Sequence, residues 1–414
     1  RKAFDSALHE LLKIEDKRAG SILITVASDR RKNGKNEEAI RMYRDVIEKY
    51  PSETEDALWG IGWAYFLTGE YKKASDIFTK LYNNYNDTKY LYWKARSLEA
   101  TGENALDIYH ALMKKDGDFY SIMSYVRTKR PLERSSTPPF NSLLSKGGYR
   151  GVKGDEGGFS NETQKFPETT TNFIGGIPVG SKKIDRVEAL FELGLSKEAL
   201  LELIQISKTI SLIEDLLYIG LKFQELGEYK HMASLATKIP YRERLNHLCY
   251  PLAYWDTVEA LSKKYGVDPF LVLSIVREES MFDLKAMSAA GALGLMQVMP
   301  QIAYRLNSKL QLGISTAYQL YNYKDNIHLG TYYLSTLIKE FGSYTYAIAA
   351  YNAGEEAVKR WLQKGNYRSA DEFIEDIPYS ETKNYVKRVI TSLFEYKRIY
   401  PIDDSTKEIS LGNL

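Results

Sequence analysis

Cysteine is almost absent from this sequence: Cys249 stands alone among 414 residues. One cysteine forms neither an intramolecular disulfide nor a cysteine metal cluster, and it neither requires nor excludes an oxidising compartment. The five histidines are scattered and lack the H-E-x-x-H spacing of a zinc site. No G-x-S-x-G motif of a serine hydrolase is present. The sequence therefore predicts no metal and no cofactor.

Excess charge and long apolar runs are also missing. The net charge is only +2, which argues against a dedicated nucleic-acid binder. No run of about twenty apolar residues occurs, so no transmembrane helix is predicted. Residues 175–182 have the order Gly-Ser-Lys instead of Gly-Lys-Ser at their end, and no apolar strand precedes them, so we reject nucleotide binding there. The apolar content of 44% indicates a globular protein, and the length allows more than one core.

A repeat of 35 residues is visible in the first part of the chain. A glycine, an alanine and two aromatic residues recur at this offset, as Gly34, Ala39, Tyr43 and Tyr50 and then as Gly69, Ala74, Phe78 and Tyr85. A looser third copy begins at Gly102, with Tyr109 in the aromatic position. Such spacing is typical of stacked helix pairs of the tetratricopeptide type, which form concave binding surfaces. An ordinary helical bundle with chance spacing is the alternative.

The sequence predicts an all-α protein with four segments. Residues 1–130 form the helical repeat domain, and residues 131–182 form a loop or linker rich in glycine and proline. Residues 183–244 form a further helical or linker domain. Residues 245–414 form a compact α-helical domain, and we expect its polar tail from Pro401 to be loosely held.

A predicted helix in the last domain ends in two glutamates. Asp268 and Pro269 have the order of an N-cap followed by proline at the first helical position. The spacing i, i+3, i+4, i+7 then places Glu279 in line with the apolar residues Val272, Ile275 and Val276, whereas Glu278 lies on a different face. An apolar setting raises the pKa of a carboxyl group, as a general acid requires. A helix-end glutamate that turns to solvent is the alternative.

A run of small residues follows that helix. Residues 288–294 have the sequence S-A-A-G-A-L-G, and glycines in such a run permit tight turns and a close approach of backbone to ligand. Met296 then offers an apolar contact, and Gln297 offers an amide that both donates and accepts hydrogen bonds.

With these residues the chain resembles the lytic transglycosylases, which cleave peptidoglycan with a domain like that of goose-type lysozyme. The family pattern E-S followed by G-x-x-G-L-M-Q-x-x-P is matched at Glu279-Ser280 and at residues 291–300. The motif A-Y-N-A-G is present at residues 350–354, and I-P-Y-x-E-T-x-x-Y-V is present at residues 377–386. The long helical region before this domain points to the large soluble branch of the family, whose helical superhelix closes into a ring.

The resemblance implies a reaction and a set of site residues. Glu279 is expected to act first as general acid and then as base, cleaving the β-1,4 bond between N-acetylmuramic acid and N-acetylglucosamine and leaving a 1,6-anhydromuramoyl end. Neither Glu278 nor Asp283 fits the motif as a second catalytic carboxylate. The expected substrate-binding residues are Ser288, Met296, Gln297, Tyr351, Asn352, Glu381 and Tyr385.

Partners and location follow from the same resemblance. The expected partner is a peptidoglycan glycan strand, with other cell-wall enzymes as further candidates. The expected compartment is the periplasm of a Gram-negative bacterium, with a signal peptide assumed to have preceded Arg1. A superhelix that threads a strand end favours exolytic cleavage. Two alternatives stay open: a lysozyme-type muramidase, in which water replaces the internal nucleophile, and a non-catalytic murein-binding scaffold.

Overall fold

The computed structural model describes residues 18–115, 118–128, 182–236 and 246–400. These residues are helical with no named β-strand, which confirms the predicted all-α class. Two compact units are present: one holds described residues 18–128 and 352–387, the other 182–351 and 388–400. The predicted linker lies outside the described residues except for Lys182, as does the tail from Pro401. None of the described helices is both long and apolar enough to cross a membrane.

The first unit is built from antiparallel helix pairs. Its helices are α1 Arg18–Lys32, α2 Asn36–Lys49, α3 Thr54–Leu67, α4 Tyr71–Tyr85, α5 Thr88–Thr101, α6 Leu106–Met113, α7 Phe119–Thr128, α18 Glu355–Lys364 and α19 Ala370–Asp376, with a 3-10 turn at Pro51–Glu53. The helices Tyr344–Ala353 (α17) and Ser380–Ile399 (α20) each have residues in both units.

The 35-residue repeat corresponds to successive helix pairs. Gly34 and Gly69 have φ of +78° and +83° at the turn inside each pair, a conformation that glycine adopts without strain. The aromatic positions Tyr43 and Phe78 are buried. A Cβ on Gly60 would lie 2.4 Å from the Tyr43 ring, so the small residue lets the two helices approach closely. The repeated glycines therefore correspond to turns between helices, and the repeated aromatic residues correspond to buried contacts between them.

The acidic helix α19 is buried within the first unit. Asp371 and Glu372 are each 1% exposed. Arg96 lies 2.9 Å from Asp371 and 3.3 Å from Glu372, and the Tyr92 hydroxyl donates to Asp371 at 2.6 Å. Burial opposes ionisation of Asp371, but Arg96 and Arg127 overcome it and lower the pKa of Asp371 below its usual value. Repeat-domain arginines thus fix this helix.

The second half of α19 is paired in the same way. Glu375 accepts hydrogen bonds from Tyr120 at 2.6 Å and from Lys387 at 2.8 Å. Burial opposes its charge, yet Lys387 and Lys383 lower the pKa of Glu375 to about 2. Asp376 accepts a bond from the Trp63 indole at 3.1 Å. The buried carboxylates are compensated, as stable burial of charge requires.

The second unit combines a short helical array with the helices that carry the predicted site. Its helices are α8 Lys182–Glu192, α9 Ser196–Ser207, α10 Ile213–Glu225, α11 Tyr229–Ala236, α12 Asn246–Cys249, α13 Trp255–Tyr265, α14 Pro269–Ser280, α15 Pro300–Leu310, α16 Tyr323–Phe341, α17 Tyr344–Ala353 and α20 Ser380–Ile399, with a 3-10 turn at Ala317–Tyr321. The array α8–α11 has its own core, which includes Val187, Leu203, Ile219 and Phe223.

The predicted helix that bears the glutamates is confirmed. Asp268 caps α14 by accepting a hydrogen bond from the Phe270 amide at 2.9 Å, and Pro269 occupies the first turn. The helix is buried from Phe270 to Val276. The helix is therefore buried along its middle and half-buried at its last turn, where the two glutamates lie.

Candidate active site

The chain reverses direction immediately after the two glutamates. Helix α14 ends at Ser280, and Met281 and Phe282 follow with φ of +46° and +63°. Non-glycine residues rarely adopt this left-handed conformation. The Phe282 side chain is 1% exposed, so its burial anchors the turn. Glu279 is thereby held half-buried at the end of a rigid helix.

Glu278 is held by charged partners. Its side chain is 7% exposed, and it pairs with Arg277 and with Arg388, the latter at 2.9 Å. The Ser392 hydroxyl donates to it at 2.8 Å. Two guanidinium groups and a hydroxyl therefore engage the carboxylate oxygens of Glu278 in charge-assisted hydrogen bonds.

Glu279 lies within electrostatic range of Tyr351. Burial and the negative charge of Glu279 raise the pKa of Tyr351 well above its ordinary value. The Tyr351 hydroxyl donates to the carbonyl of Met296 at 2.8 Å, and its ring lies 5.5 Å from that of Tyr333. Because a tyrosine has one hydroxyl proton, this bond leaves Tyr351 only lone pairs to offer other groups. The structure thus brings the predicted Glu279 and Tyr351 together.

The small-residue segment forms a tight turn closed by Ser288. The Ser288 hydroxyl accepts from the Ala292 amide at 3.0 Å. The Ser288 amide donates to Ala292 oxygen at 3.0 Å, and the Gly291 amide donates to Ser288 oxygen at 2.9 Å. Gly291 has φ of +85°. The isolated bridges Met287–Leu293 and Leu293–Val298 continue this pairing, so the segment is an ordered loop.

Gln297 is committed on its nitrogen side. Its φ is +47°, and its amide nitrogen donates to Ala286 oxygen at 3.1 Å and to Gly294 oxygen at 2.9 Å. The side chain therefore closes the loop on itself. We therefore expect the predicted hydrogen bond between Gln297 and a sugar to be accepted by the side-chain amide oxygen.

Met296 is buried beneath the loop. Its side chain is 0% exposed, and a Cβ on Gly330 would lie 2.4 Å from its sulfur. We predicted that Met296 lines the cleft; the side chain packs against α16, and its role in substrate binding stays a prediction. The loop draws the thioether into the core because Gly330 leaves room for it.

Asn326 is a site-building residue that the sequence did not indicate to us. It is fully buried; its amide oxygen accepts from the Met296 amide at 2.8 Å, and its amide nitrogen donates to the carbonyls of Leu293 and Leu320, both at 2.8 Å. A signal was available, because Asn326, Gly330 and Tyr333 recur at i, i+4 and i+7 on one helix face.

Three predicted residues belong to the other unit. Asn352 accepts a hydrogen bond from the Thr382 hydroxyl at 2.7 Å. Gly354 has φ of +87° between α17 and α18, a conformation that glycine adopts without strain. Glu381 is exposed in the first turn of α20, and Tyr385 is 3% exposed. Their role in substrate binding stays a prediction.

Metal ligation has no support within the described residues. No group of three or more histidine, cysteine, aspartate or glutamate side chains there could hold an ion. The hydroxyl and ring of Tyr351, near Glu279, and the amide of Gln297 are groups that suit hydrogen bonding and stacking with a sugar.

Comparison with known families agrees with these motifs. Residues 256–374 match the model of the transglycosylase SLT domain. Residues 27–52 and 56–88 match tetratricopeptide repeats, which confirms the first two copies of the 35-residue repeat. The chain thus contains segments that match tetratricopeptide repeats and a segment that matches the transglycosylase SLT domain.

Individual relatives are more specific. The chain is 30% identical over 307 residues to the soluble lytic murein transglycosylase of Salmonella typhimurium, covering 72% of this chain and 42% of that protein. It is 38% identical over 144 residues to the Escherichia coli K12 protein of the same name, covering 34% of this chain and 22% of that protein. The resemblance to lytic transglycosylases is confirmed. The chain spans less than half the length of these relatives.

Solved structures support the fold. An inactive mutant of the lytic transglycosylase Slt from Pseudomonas aeruginosa matches with a TM-score of 0.71 at 21% identity, covering 99% of this chain and 63% of that one. The 70-kDa soluble lytic transglycosylase from Escherichia coli matches with a TM-score of 0.62, covering 94% and 63%. The helical-repeat and lysozyme-like architecture therefore agrees with prediction.

Proposed function

We propose that this chain is a lytic transglycosylase that cleaves the β-1,4 bond between N-acetylmuramic acid and N-acetylglucosamine in murein. The observation that carries the proposal is the contrast between two adjacent carboxylates. Glu278 is enclosed by Arg277, Arg388 and Ser392. Glu279 instead lies near Tyr351, whose hydroxyl bonds the loop of residues 288–297, the motif loop. In this proposal Glu278 stabilises the end of α14, and Glu279 is the catalytic residue.

Glu279 acts as the acid in the first step. Its protonated carboxyl gives its hydrogen to the bridging oxygen, the bond between the muramoyl anomeric carbon and that oxygen breaks, and the N-acetylglucosamine side leaves with a hydroxyl. The muramoyl 2-acetamido group stabilises the cation that develops. The Tyr351 hydroxyl donates to Met296 oxygen, so its lone pairs are available to accept a hydrogen bond from the substrate.

Glu279 acts as the base in the second step. The carboxylate takes the proton of the same muramoyl residue's 6-hydroxyl while that oxygen bonds to the anomeric carbon. A 1,6-anhydromuramoyl end results, Glu279 is protonated again, and no water is consumed. An internal nucleophile has an effective molarity of about 10⁵ M or more, so a second carboxylate is dispensable. Asp283, the nearest other candidate along the chain, is bonded to Lys230 at 2.6 Å.

The motif residues supply the binding surface in this proposal. Ser288, the amide oxygen of Gln297 and the Tyr351 ring contact the sugars around the scissile bond. Asn352, Glu381 and Tyr385 are further substrate-binding residues in this proposal. Action is exolytic and takes place in the periplasm, where murein lies. Murein strands are the partner.

Substitution of the acid tests the proposal. Glu279→Gln keeps the size of the side chain and removes its proton transfer, so release of soluble fragments from murein sacculi should fall by about 10² to 10⁴-fold. Thermal unfolding should be nearly unchanged. The exposed Glu356 provides a control, since Glu356→Gln should retain full activity. A Glu279→Gln protein that solubilises murein at the parent rate would remove Glu279 from this role.

A further inference from the structure

The turn after Glu279 is strained. Met281 and Phe282 both have positive φ, and for residues with a Cβ this conformation costs free energy that the surrounding structure must offset. Such strain persists only where other contacts over-determine the backbone. Glu279 precedes the turn by two residues, so whatever holds the turn also fixes the direction of the acid.

Asp283 holds the turn from its far side. Its amide donates to Ser280 oxygen at 3.0 Å. One carboxylate oxygen accepts from the Lys285 amide at 3.0 Å, and the other accepts from the Lys230 ammonium at 2.6 Å. Partial burial opposes ionisation of Asp283, but the hydrogen bonds from Lys230 and the Lys285 amide, together with the positive charge of Lys230, outweigh it and lower the pKa of Asp283. The carboxylate therefore ties the strained turn to another element.

That element is the last helix of the array α8–α11, which has no role in the proposed chemistry. Lys230 is the second residue of α11. Its neighbour Tyr229 packs edge-on against Tyr254 at 5.2 Å, and Tyr254 stacks on Tyr323 at 4.7 Å. Tyr323 begins α16, the helix whose Asn326 clamps the motif loop. Helix α11 thus contacts two parts of the site. Lys230 bonds Asp283 after the strained turn, and Tyr229 packs on Tyr254, which stacks on the helix that holds the motif loop.

We propose that Lys230 is a positioning residue of the active site: by holding Asp283 it fixes the strained Met281–Phe282 turn and with it the orientation of Glu279. This rests on the proposed function of Glu279. It gives the array α8–α11 a task in catalysis, namely to brace the helix end that carries the acid. Lys230 does not touch substrate in this account.

The ion pair is partly exposed, so its effect on rate should be moderate. The Lys230 side chain is 51% exposed and that of Asp283 is 26% exposed, and solvent weakens such pairs. Lys230→Met should lower kcat about fivefold on soluble glycan strands, with KM changed less than about twofold, because the orientation of the acid and not substrate binding is altered. Lys230→Arg should restore most of kcat, since it keeps the charge.

A matched control lies on the same array. The exposed Lys208 directly follows α9 and donates a hydrogen bond to Gln205 of that helix. Lys208→Met therefore makes the same chemical change away from the Met281–Phe282 turn. Its kcat should equal that of the parent protein. An equal kcat loss in Lys208→Met and Lys230→Met would contradict the proposal, because it would show that any loss of a lysine from the array lowers kcat. Unchanged kcat in Lys230→Met would overturn the proposal outright.

A double-mutant cycle and hydrogen exchange complete the test. Asp283→Asn combined with Lys230→Met should have about the kcat of the weaker single variant; multiplied losses would contradict the coupling. Amide exchange in residues 281–285 should be faster in Lys230→Met and unchanged in Lys208→Met, whereas parental exchange in both would refute the bracing. This readout needs no activity, so it separates failure of the brace from failure of the proposed function, which an inactive parent protein would show.

Discussion

Replacing Asn326 by aspartate should disconnect the motif loop while leaving side-chain size unchanged. The aspartate keeps an acceptor for the Met296 amide but has no N–H for the carbonyls of Leu293 and Leu320. Each buried carbonyl left without a donor costs about 1–3 kcal/mol. The Leu293 carbonyl keeps the Val298 amide as a donor at 3.0 Å, so the Leu320 carbonyl carries the penalty. The predicted loss in the free energy of unfolding is therefore about 1–3 kcal/mol, most of it at the loop next to Glu279.

Chemical denaturation and murein release, measured on the same preparation, test this expectation. Asn307 provides the control, because it also bonds the backbone on both sides, to Ile314 oxygen at 2.8 Å and from Ile314 nitrogen at 3.0 Å, but away from the loop. Asn307→Asp should lose stability without a selective loss of kcat. An Asn326→Asp protein with parental stability and activity would refute the idea that this side chain holds the loop.

The remaining predictions concern acidity, loop geometry and the tyrosine. Because the pKa of Glu375 is lowered to about 2 from 4.5, its ionisation contributes about 3 kcal/mol that is fully present above pH 4.5 and lost as pH falls towards 2. Thermal unfolding of Glu375→Gln should therefore depend less on pH in that window, and an unchanged dependence would contradict the shift. Gly294→Ala should abolish activity, since its φ is +74° and its Cβ would lie 2.4 Å from Asn326 and Leu320. Gly291→Ala, with φ of +85° and open space, should fold with a penalty of about 1–2 kcal/mol; equal stability losses in both would refute the close approach. Tyr351→Phe should lower kcat about tenfold for the loss of about 1 kcal/mol of hydrogen bonding plus positioning, and a parental kcat would exclude the hydroxyl from catalysis.

Local signals explain what the sequence predicted correctly. Asp268 followed by Pro269 marks a helix start through capping and a fixed φ, and the apolar spacing after it reflects helical geometry. The repeated glycine and aromatic positions, such as Gly34 and Tyr43, reflect turns and crossings that recur in every pair. These features depend on neighbours within one helix or one pair, so a linear sequence carries them.

Contacts between distant segments were not predictable in the same way. Asn326 meets Met296 from thirty positions away, and Lys230 meets Asp283 from 53 positions away. The packing of Met296 against Gly330, 34 positions further along the chain, is likewise a contact that no local pattern indicates. The burial of helix α19 also has no local signal. Its acidic residues are typical of a solvated surface, and the partners that allow their burial, such as Arg96, lie far away in the sequence.

The central claim is that the muramoyl residue's own hydroxyl, and not water, attacks the anomeric carbon once Glu279 has protonated the leaving oxygen. Mass spectrometry of murein fragments released in heavy-oxygen water tests it most directly. The account predicts muramoyl ends that are one water lighter than reducing ends and carry no heavy oxygen. Reducing muramic ends labelled with heavy oxygen from the first time point would contradict the account and identify a hydrolytic muramidase.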